Sequence, residues 1–254
     1  MKKRILTVSM ICLFTSGYVY GQQMAKLSST NSGQLITNNS NDSEESNVSN
    51  FTNLKFNSAK RDFSPVFYKN KLVFTSERNK IGLFKVSDQN GRPFFDVYKA
   101  DLSDNGEVNN IEAFRKEVNK KFHEGPVTFN TAGDIMVYTR NNYDDKSEDQ
   151  KVRLELVQSK LENGVWTEGT EMTFNSPMYS CGHGAFSADG KWLYFASDMP
   201  GGMGGTDIYR SLIDENGGFG TPENLGEKVN SPANEMFPFI HEDGILFYSS
   251  NRYG

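Results

Sequence analysis

The chain has 254 residues, with 27 Lys and Arg against 32 Asp and Glu and a formal charge of −5. That balance offers no basic footprint for a phosphate backbone, so no nucleic-acid partner is expected. Only two cysteines are present, too few for a disulfide framework, and 19 Phe, 11 Tyr and 23 Gly point to short aromatic strands separated by turns, an all-β chain.

At the N-terminus, Lys2, Lys3 and Arg4 precede the largely apolar Ile5 to Phe14, and Val19-Tyr20-Gly21 sets small or medium residues before a cut. Residues 1–21 therefore read as a secretory signal peptide, and the product as exported, to the periplasm or the outer membrane. The apolar run is shorter than the roughly 20 residues that a membrane-spanning helix needs. Cys12 lies within that run and not at its end, which argues against a lipoprotein. Cleavage leaves Cys181 as the single thiol. Residues 22–57 follow, rich in Ser, Asn, Thr and Glu as in Ser40-Asn41-Asp42-Ser43-Glu44-Glu45. With so few large apolar side chains to offset chain entropy, the segment reads as a disordered tether.

From residue 58 to 254 one pattern recurs: a Gly or Pro with an aromatic, a tight turn, then an apolar-aromatic strand that ends in small polar residues. The copies run from Ser64-Pro65-Val66-Phe67 to Phe74-Thr75-Ser76, from Gly125-Pro126-Val127 to Val137-Tyr138-Thr139, from His183-Gly184-Ala185-Phe186 to Tyr194-Phe195-Ala196, and from Phe237-Pro238-Phe239 to Phe247-Tyr248-Ser249. Each is a hairpin. Gly133, Gly190 and Gly244 supply the turn in three of them, and Asn70 is the residue expected to do so in the first. The anchors Phe74, Tyr138, Phe195 and Tyr248 recur at a period a little above the ~40–50 residues of a four-stranded blade. A third strand follows in Phe95 to Ala100, Leu154 to Ser159 and Thr206 to Ser211, and an outer strand is expected after Asn105-Gly106, Asn163-Gly164 and Gly217-Gly218. Residues 110–121, with Ile111, Phe114 and Val118 at helical spacing, read as a short helix or a loop. The expected fold is a β-propeller with repeats at about 61–122, 123–181 and 182–235 and a partial one at 236–254. Three blades and a fraction fall short of the roughly 4 to 8 of a closed ring, so the sequence reads as part of a larger propeller.

The stretch Gly182-His183-Gly184-Ala185-Phe186-Ser187-Ala188-Asp189-Gly190-Lys191-Trp192-Leu193-Tyr194-Phe195-Ala196-Ser197-Asp198-Met199-Pro200-Gly201-Gly202-Met203-Gly204-Gly205-Thr206-Asp207-Ile208-Tyr209 resembles the WD40-like, TolB-type propeller repeat of Bacteroidetes OmpA-family envelope proteins. Asn224-Leu225-Gly226, Val229-Asn230-Ser231 and Glu235-Met236-Phe237-Pro238-Phe239 resemble that family's repeat junction. The resemblance is strong from Tyr179 onward and weaker over residues 61–177, which lack the glycine loop. It implies an envelope scaffold whose partners are other envelope proteins or a glycan, in an assembly of the OmpA-family or type IX secretion and gliding kind. Peptidoglycan would be reached only through a further C-terminal domain.

Three features compete as sites. Gly201, Gly202, Met203, Gly204 and Gly205 form a loop without the Lys-Ser/Thr ending of a phosphate cradle, and it leads into a strand and not a helix. It is expected to be a permissive partner-binding loop at a propeller rim. Cys181 and His183 are the one place where thiol and imidazole meet, and His123 is the other channel candidate. Nucleophilic or metal chemistry would need further groups converging on them, so a structural role is expected. Asp198 and Asp207 flank the glycine loop without calcium-loop spacing. No cofactor, no metal and no catalytic residue is expected. The reading is a non-catalytic binding or scaffold module, set against the propeller part of a secreted enzyme, a metal-dependent lyase or a peptidase cap.

Overall fold

The computed structural model describes residues 56–78, 93–103, 106–115, 117–120, 123–143, 149 and 151–252, together with the backbone of 22–26. Strand β1 (Gln22–Lys26) comes first in the chain. Then β2 (Asp62–Tyr68), β3 (Lys71–Ser76), β4 (Asp96–Leu102) and β5 (Val108–Ala113) make sheet 1 in that spatial order. Sheet 2 contains β6 (Glu124–Phe129), β7 (Ile135–Asn142), β8 (Arg153–Glu162) and β10 (Thr170–Glu171), with β9 (Val165–Trp166) also on β8. Sheet 3 is β11 (Cys181–Phe186), β12 (Trp192–Ser197), β13 (Asp207–Leu212) and β14 (Glu223–Asn224). In sheet 4, β15 (Glu235–Ile240) pairs with β16 (Ile245–Ser250), and β1 pairs with the other edge of β16. The described residues are thus all-β, consecutive antiparallel sheets of propeller type forming part of a ring.

The period-two pattern of the second strands places the four anchor aromatics on one face. Phe74, Tyr138, Phe195 and Tyr248 are all buried, each on the face toward the preceding position in the series. The opposite face of the same strands, Val73, Val137 and Tyr194, packs toward the next sheet. Each full burial of such a side chain stabilises the fold by about 1.5–3 kcal/mol. One core cluster therefore fills each gap between successive sheets, and a further one lies on the outer face of sheet 1.

Each gap is also closed by one carboxamide, buried at Asn119 and Asn230 and half-buried at Asn175. Asn119 accepts from Val97 N–H at 2.7 Å and donates to Val97 C=O at 2.7 Å. Asn175 does the same to Leu156 at 3.1 and 2.8 Å, and Asn230 to Ile208 at 2.8 and 2.9 Å. In every case an Asn just before the inner strand of one sheet clamps the third strand of the sheet before it. The three carbonyls also accept from Phe114, Met172 and Leu225 N–H, so it is the N–H groups that would be left unpaired without the Asn, at about 1–3 kcal/mol each.

Three local expectations are refined. Residues 108–113 are the outer strand of sheet 1, followed by a turn, and not a helix; β4 and β5 pair from Leu102↔Val108 to Tyr98↔Ala113. The first hairpin takes its left-handed residue at Lys69, φ 56°, and not at Asn70. Of the stretch read as a tether, residues 27–55 lie outside the described residues, and 22–26 form β1. Each inner strand is interrupted by a register shift, and at three of the four shifts a residue other than Gly takes positive φ: Ser64, His183 and Phe237.

Candidate functional site

The inner strands β2, β6, β11 and β15 converge at their hairpin ends. Pairing registers place Phe67, Phe129, Phe186 and Ile240 at one equivalent position, opposite Leu72, Met136, Leu193 and Leu246. Together with Tyr68, Lys69, residues 130–133, Ser187 and Ala188 they line a cavity of 380 Å³. This volume falls in the ~300–1,000 Å³ range of ligand pockets. Its apolar wall is layered: Tyr68 stacks on Phe129 at 4.1 Å, and the Lys69 ammonium lies 5.1 Å from the Tyr68 ring centre. Tyr68 OH donates to Gly133 C=O at 3.0 Å and Thr131 OH to Ala188 C=O at 3.1 Å, which ties the rims of adjacent sheets together. Phe67 remains 49% exposed here. The arrangement presents one aromatic anchor on a rigid floor, with amide and hydroxyl groups around it. Sequence reasoning found the four hairpins but missed this site, because the four equivalent residues are separated by more than fifty positions each and only closure of the sheets brings them together.

The predicted glycine loop lies at the opposite end, between β12 and β13, and all five residues are exposed. Its glycines answer mostly to close packing. A Cβ on Gly202 would collide with the Asp207 carboxylate, one on Gly204 with the carbonyls of Ser231 and Ala233, and one on Gly205 with Asn234. Gly201 needs its φ of 91°. The loop is pinned: Gly205 N–H donates to Ala233 C=O at 2.8 Å, and the buried Asp207 carboxylate accepts from Met203 N–H and, at 3.0 Å, from Asn224. Met203, 43% exposed, is the large apolar side chain that the loop presents to solvent.

Cys181, His183 and His123 do not form one site. Cys181 is buried in the core between sheets 2 and 3, 3.5 Å from Ser197 Oγ, and burial pushes its thiol up to about 12. It occupies the position that Asp62, Glu124 and Glu235 hold in the other inner strands, opposite Ser76, Arg140 and Ser250. His183 stacks on Phe237 at 3.8 Å, and burial lowers its pKa to about 4. Its ring is neutral at pH 7. His123 instead accepts from Phe95 N–H at 3.0 Å and packs against Phe94 and Phe95. Asp198 accepts from Ser180 N–H at 2.6 Å, while Asp144, Asp145 and Glu148, in the loop between β7 and β8 that corresponds to the glycine loop, lie outside the described residues.

No family model matches the sequence, and no curated protein matches it. Among solved structures the chain is similar to TolB from Acinetobacter baumannii, with 20% identity and a TM-score of 0.47 over 73% of this chain and 36% of that one. It is also similar to a puromycin-hydrolyzing peptidase of Mycobacterium tuberculosis, with 13% identity and a TM-score of 0.47 over 75% of this chain and 28% of that one. The Cps50 (Swd1) β-propeller domain of Myceliophteria thermophila gives 10% identity and a TM-score of 0.38 over 75% and 51%. The chain thus spans about half or less of the length of each. These likenesses assign no residue and no activity to this chain, and its propeller character rests on its own sheets.

Proposed function

We propose that this chain is a non-catalytic propeller module of an exported envelope protein, which seats a protein or glycan partner at the hairpin end of its inner strands. The observation that carries this reading is the 380 Å³ cavity built by all four sheets, with Phe67 half-exposed at its mouth. Binding energy at interfaces concentrates in aromatic anchors set in pockets, and loops on a rigid scaffold are the usual carriers of recognition. The basic and apolar N-terminal segment supports export, and the repeat resemblance supports an envelope partner.

The test is a photo-crosslinking residue placed at Phe67 in the exporting cell, with a second chain labelled at Leu212, which is equally exposed at 49% but lies on sheet 3 away from the cavity. A discrete partner adduct from position 67 and none from 212 is expected. Adducts of equal yield from both positions would show that the cavity is not the binding surface.

A further inference from the structure

We infer that the cavity at the hairpin end takes a protein segment that buries one large apolar side chain and carries an Asp or Glu beside it, and not a glycan. The inference rests on the reading that this cavity is the partner site. The polar side chains of its lining are already engaged within the fold. Tyr68 OH donates to Gly133 C=O at 3.0 Å and Thr131 OH to Ala188 C=O at 3.1 Å. Asn130 donates to the Asp134 carboxylate at 2.7 Å, and its Oδ1 accepts from Asp134 and Ile135 N–H at 3.0 and 2.9 Å. Ser187 Oγ donates to Asp189 at 2.6 Å and accepts from Trp192 N–H at 2.9 Å. A sugar entering here would shed water from its hydroxyls and meet groups bonded to one another, a net loss for each hydroxyl left unpaired. Tyr68 offers it little stacking surface, since Phe129 covers the ring at 4.1 Å and the Lys69 ammonium lies 5.1 Å from its centre. An apolar side chain needs no hydrogen bond and gains from contact with Phe67, which is exposed, and with Phe129, Phe186 and Ile240.

Lys69 supplies the one charge in the lining. It is exposed, and among the described residues its ammonium meets the Tyr68 ring and no carboxylate. Its stem leans toward sheet 2: a Cβ built on Gly133 would lie 3.3 Å from the Tyr68 ring and 3.6 Å from Lys69 Cε. The acids nearest the rim, Asp134 and Asp189, are held in their own turns by Asn130 and Ser187, which leaves Lys69 as the group that draws a partner's charge. The carboxylate it meets belongs to a side chain and not to a chain end. A terminal carboxylate is captured by a nest of backbone N–H groups, and the turns here use theirs internally. Gly133 N–H donates to Asn130 C=O at 2.9 Å, Gly190 N–H to Ser187 C=O at 3.0 Å, and Asp134 N–H to the Asn130 side chain. The apolar anchor therefore enters the cavity while the neighbouring acid stays at the rim on the side of sheet 1, in an exposed pair that salt weakens.

The probe is the capped peptide acetyl-Gly-Ser-Phe-Asp-Ser-Gly-amide, titrated into the isotope-labelled chain at low ionic strength. Saturable shifts at Phe67 and Phe186 are expected by low millimolar peptide. Ala in place of the peptide's Phe should weaken binding at least about tenfold, as loss of a pocketed aromatic does. Lys69→Gln in the chain, or Asn in place of the peptide's Asp, should each weaken it about threefold to fivefold, and both together no further, because either removes the same pair. Lys69 is exposed, so Lys69→Gln leaves the melting temperature unchanged and a lost fold does not mimic the result. An N-acetylglucosamine trimer that shifts Phe67 and displaces the peptide overturns the inference in favour of a glycan. Equal binding of the Asn peptide, or tighter binding of an uncapped peptide that ends in Phe, overturns the acidic side chain. Absence of a saturable shift at Phe67 with the Phe-Asp peptide overturns the inference as a whole, whereas the crosslink from position 67 decides separately whether the cavity is a partner site.

Discussion

His183 shows how a residue that looks chemical from its neighbours acts through burial. Its backbone takes φ 57°, its N–H donates to Thr139 Oγ1 at 2.9 Å, and its Nδ1 has no hydrogen-bond partner among the described residues. Above pH 6.5 the imidazole is neutral folded and unfolded, and it leaves stability unchanged. Between about 6.5 and about 4 the unfolded chain binds a proton that the folded ring refuses, so stability falls as pH falls through that window. The loss amounts to about 1–3 kcal/mol, since the ring is only partly shielded. Asp62 and Asp189 also lose stabilisation on acidification, because hydrogen bonds from Ser76 and Arg78, and from Ser187, overcome burial and hold their pKa values down. The His183 share is isolated by His183→Phe, which repeats the residue at the equivalent Phe237. Chemical denaturation at pH 7 and pH 5 should show a smaller loss for the variant than for the parent. An identical loss in both would mean that His183 is protonated in the folded chain.

At the scale of strands and loops, the sequence revealed the hairpins because their signals are local: a turn residue, alternating burial and an anchor aromatic lie within a few positions of one another. Phe74, Tyr138, Phe195 and Tyr248 are equivalent in space as their pattern suggests. What was not legible depends on packing between sheets. Nothing local marks Asn119, Asn175 and Asn230 as clamps, since an Asn before a strand usually signals a turn. Likewise a Gly-rich loop looks the same whether its glycines serve motion or close approach. Contact geometry separates the two: Gly204 faces the carbonyls of Ser231 and Ala233, while Gly201 has open space around its Cβ direction. Gly204→Ala should therefore cost about 2–4 kcal/mol through displacement of the 231–234 segment. Gly201→Ala should cost only about 1 kcal/mol, from its positive φ. Thermal melts of the two variants check the order, and equal costs would mean that the loop does not lean on sheet 4.

Across the described residues, three of the core clusters lie between adjacent sheets and the fourth on the outer face of sheet 1, so stability is a sum of sheet and nearest-neighbour terms and not one shared centre. Removing residues 235–254 takes away Leu246 and Tyr248, which cover Tyr194, Ala196 and Ile208, and it removes Glu235 from the Ser231 hub. It also takes Arg252, which donates to Val229 C=O, from the segment that carries the Asn230 clamp. Sheet 3 then loses one of its two faces, while the contacts of sheet 1 with sheet 2, through Val73, Val97, Met136 and Tyr138, are unchanged. Hydrogen exchange should thus show lost protection across β13 and β12, a smaller effect in sheet 2, and none in β3 and β4. Partial unfolding confined in this way is the behaviour of a linear array, where stability at one site falls with distance from the removed neighbour. Uniform loss of protection from β3 to β13 would instead mark the sheets as one cooperative unit, in which a partner seated on the cavity at one end would be felt at every junction.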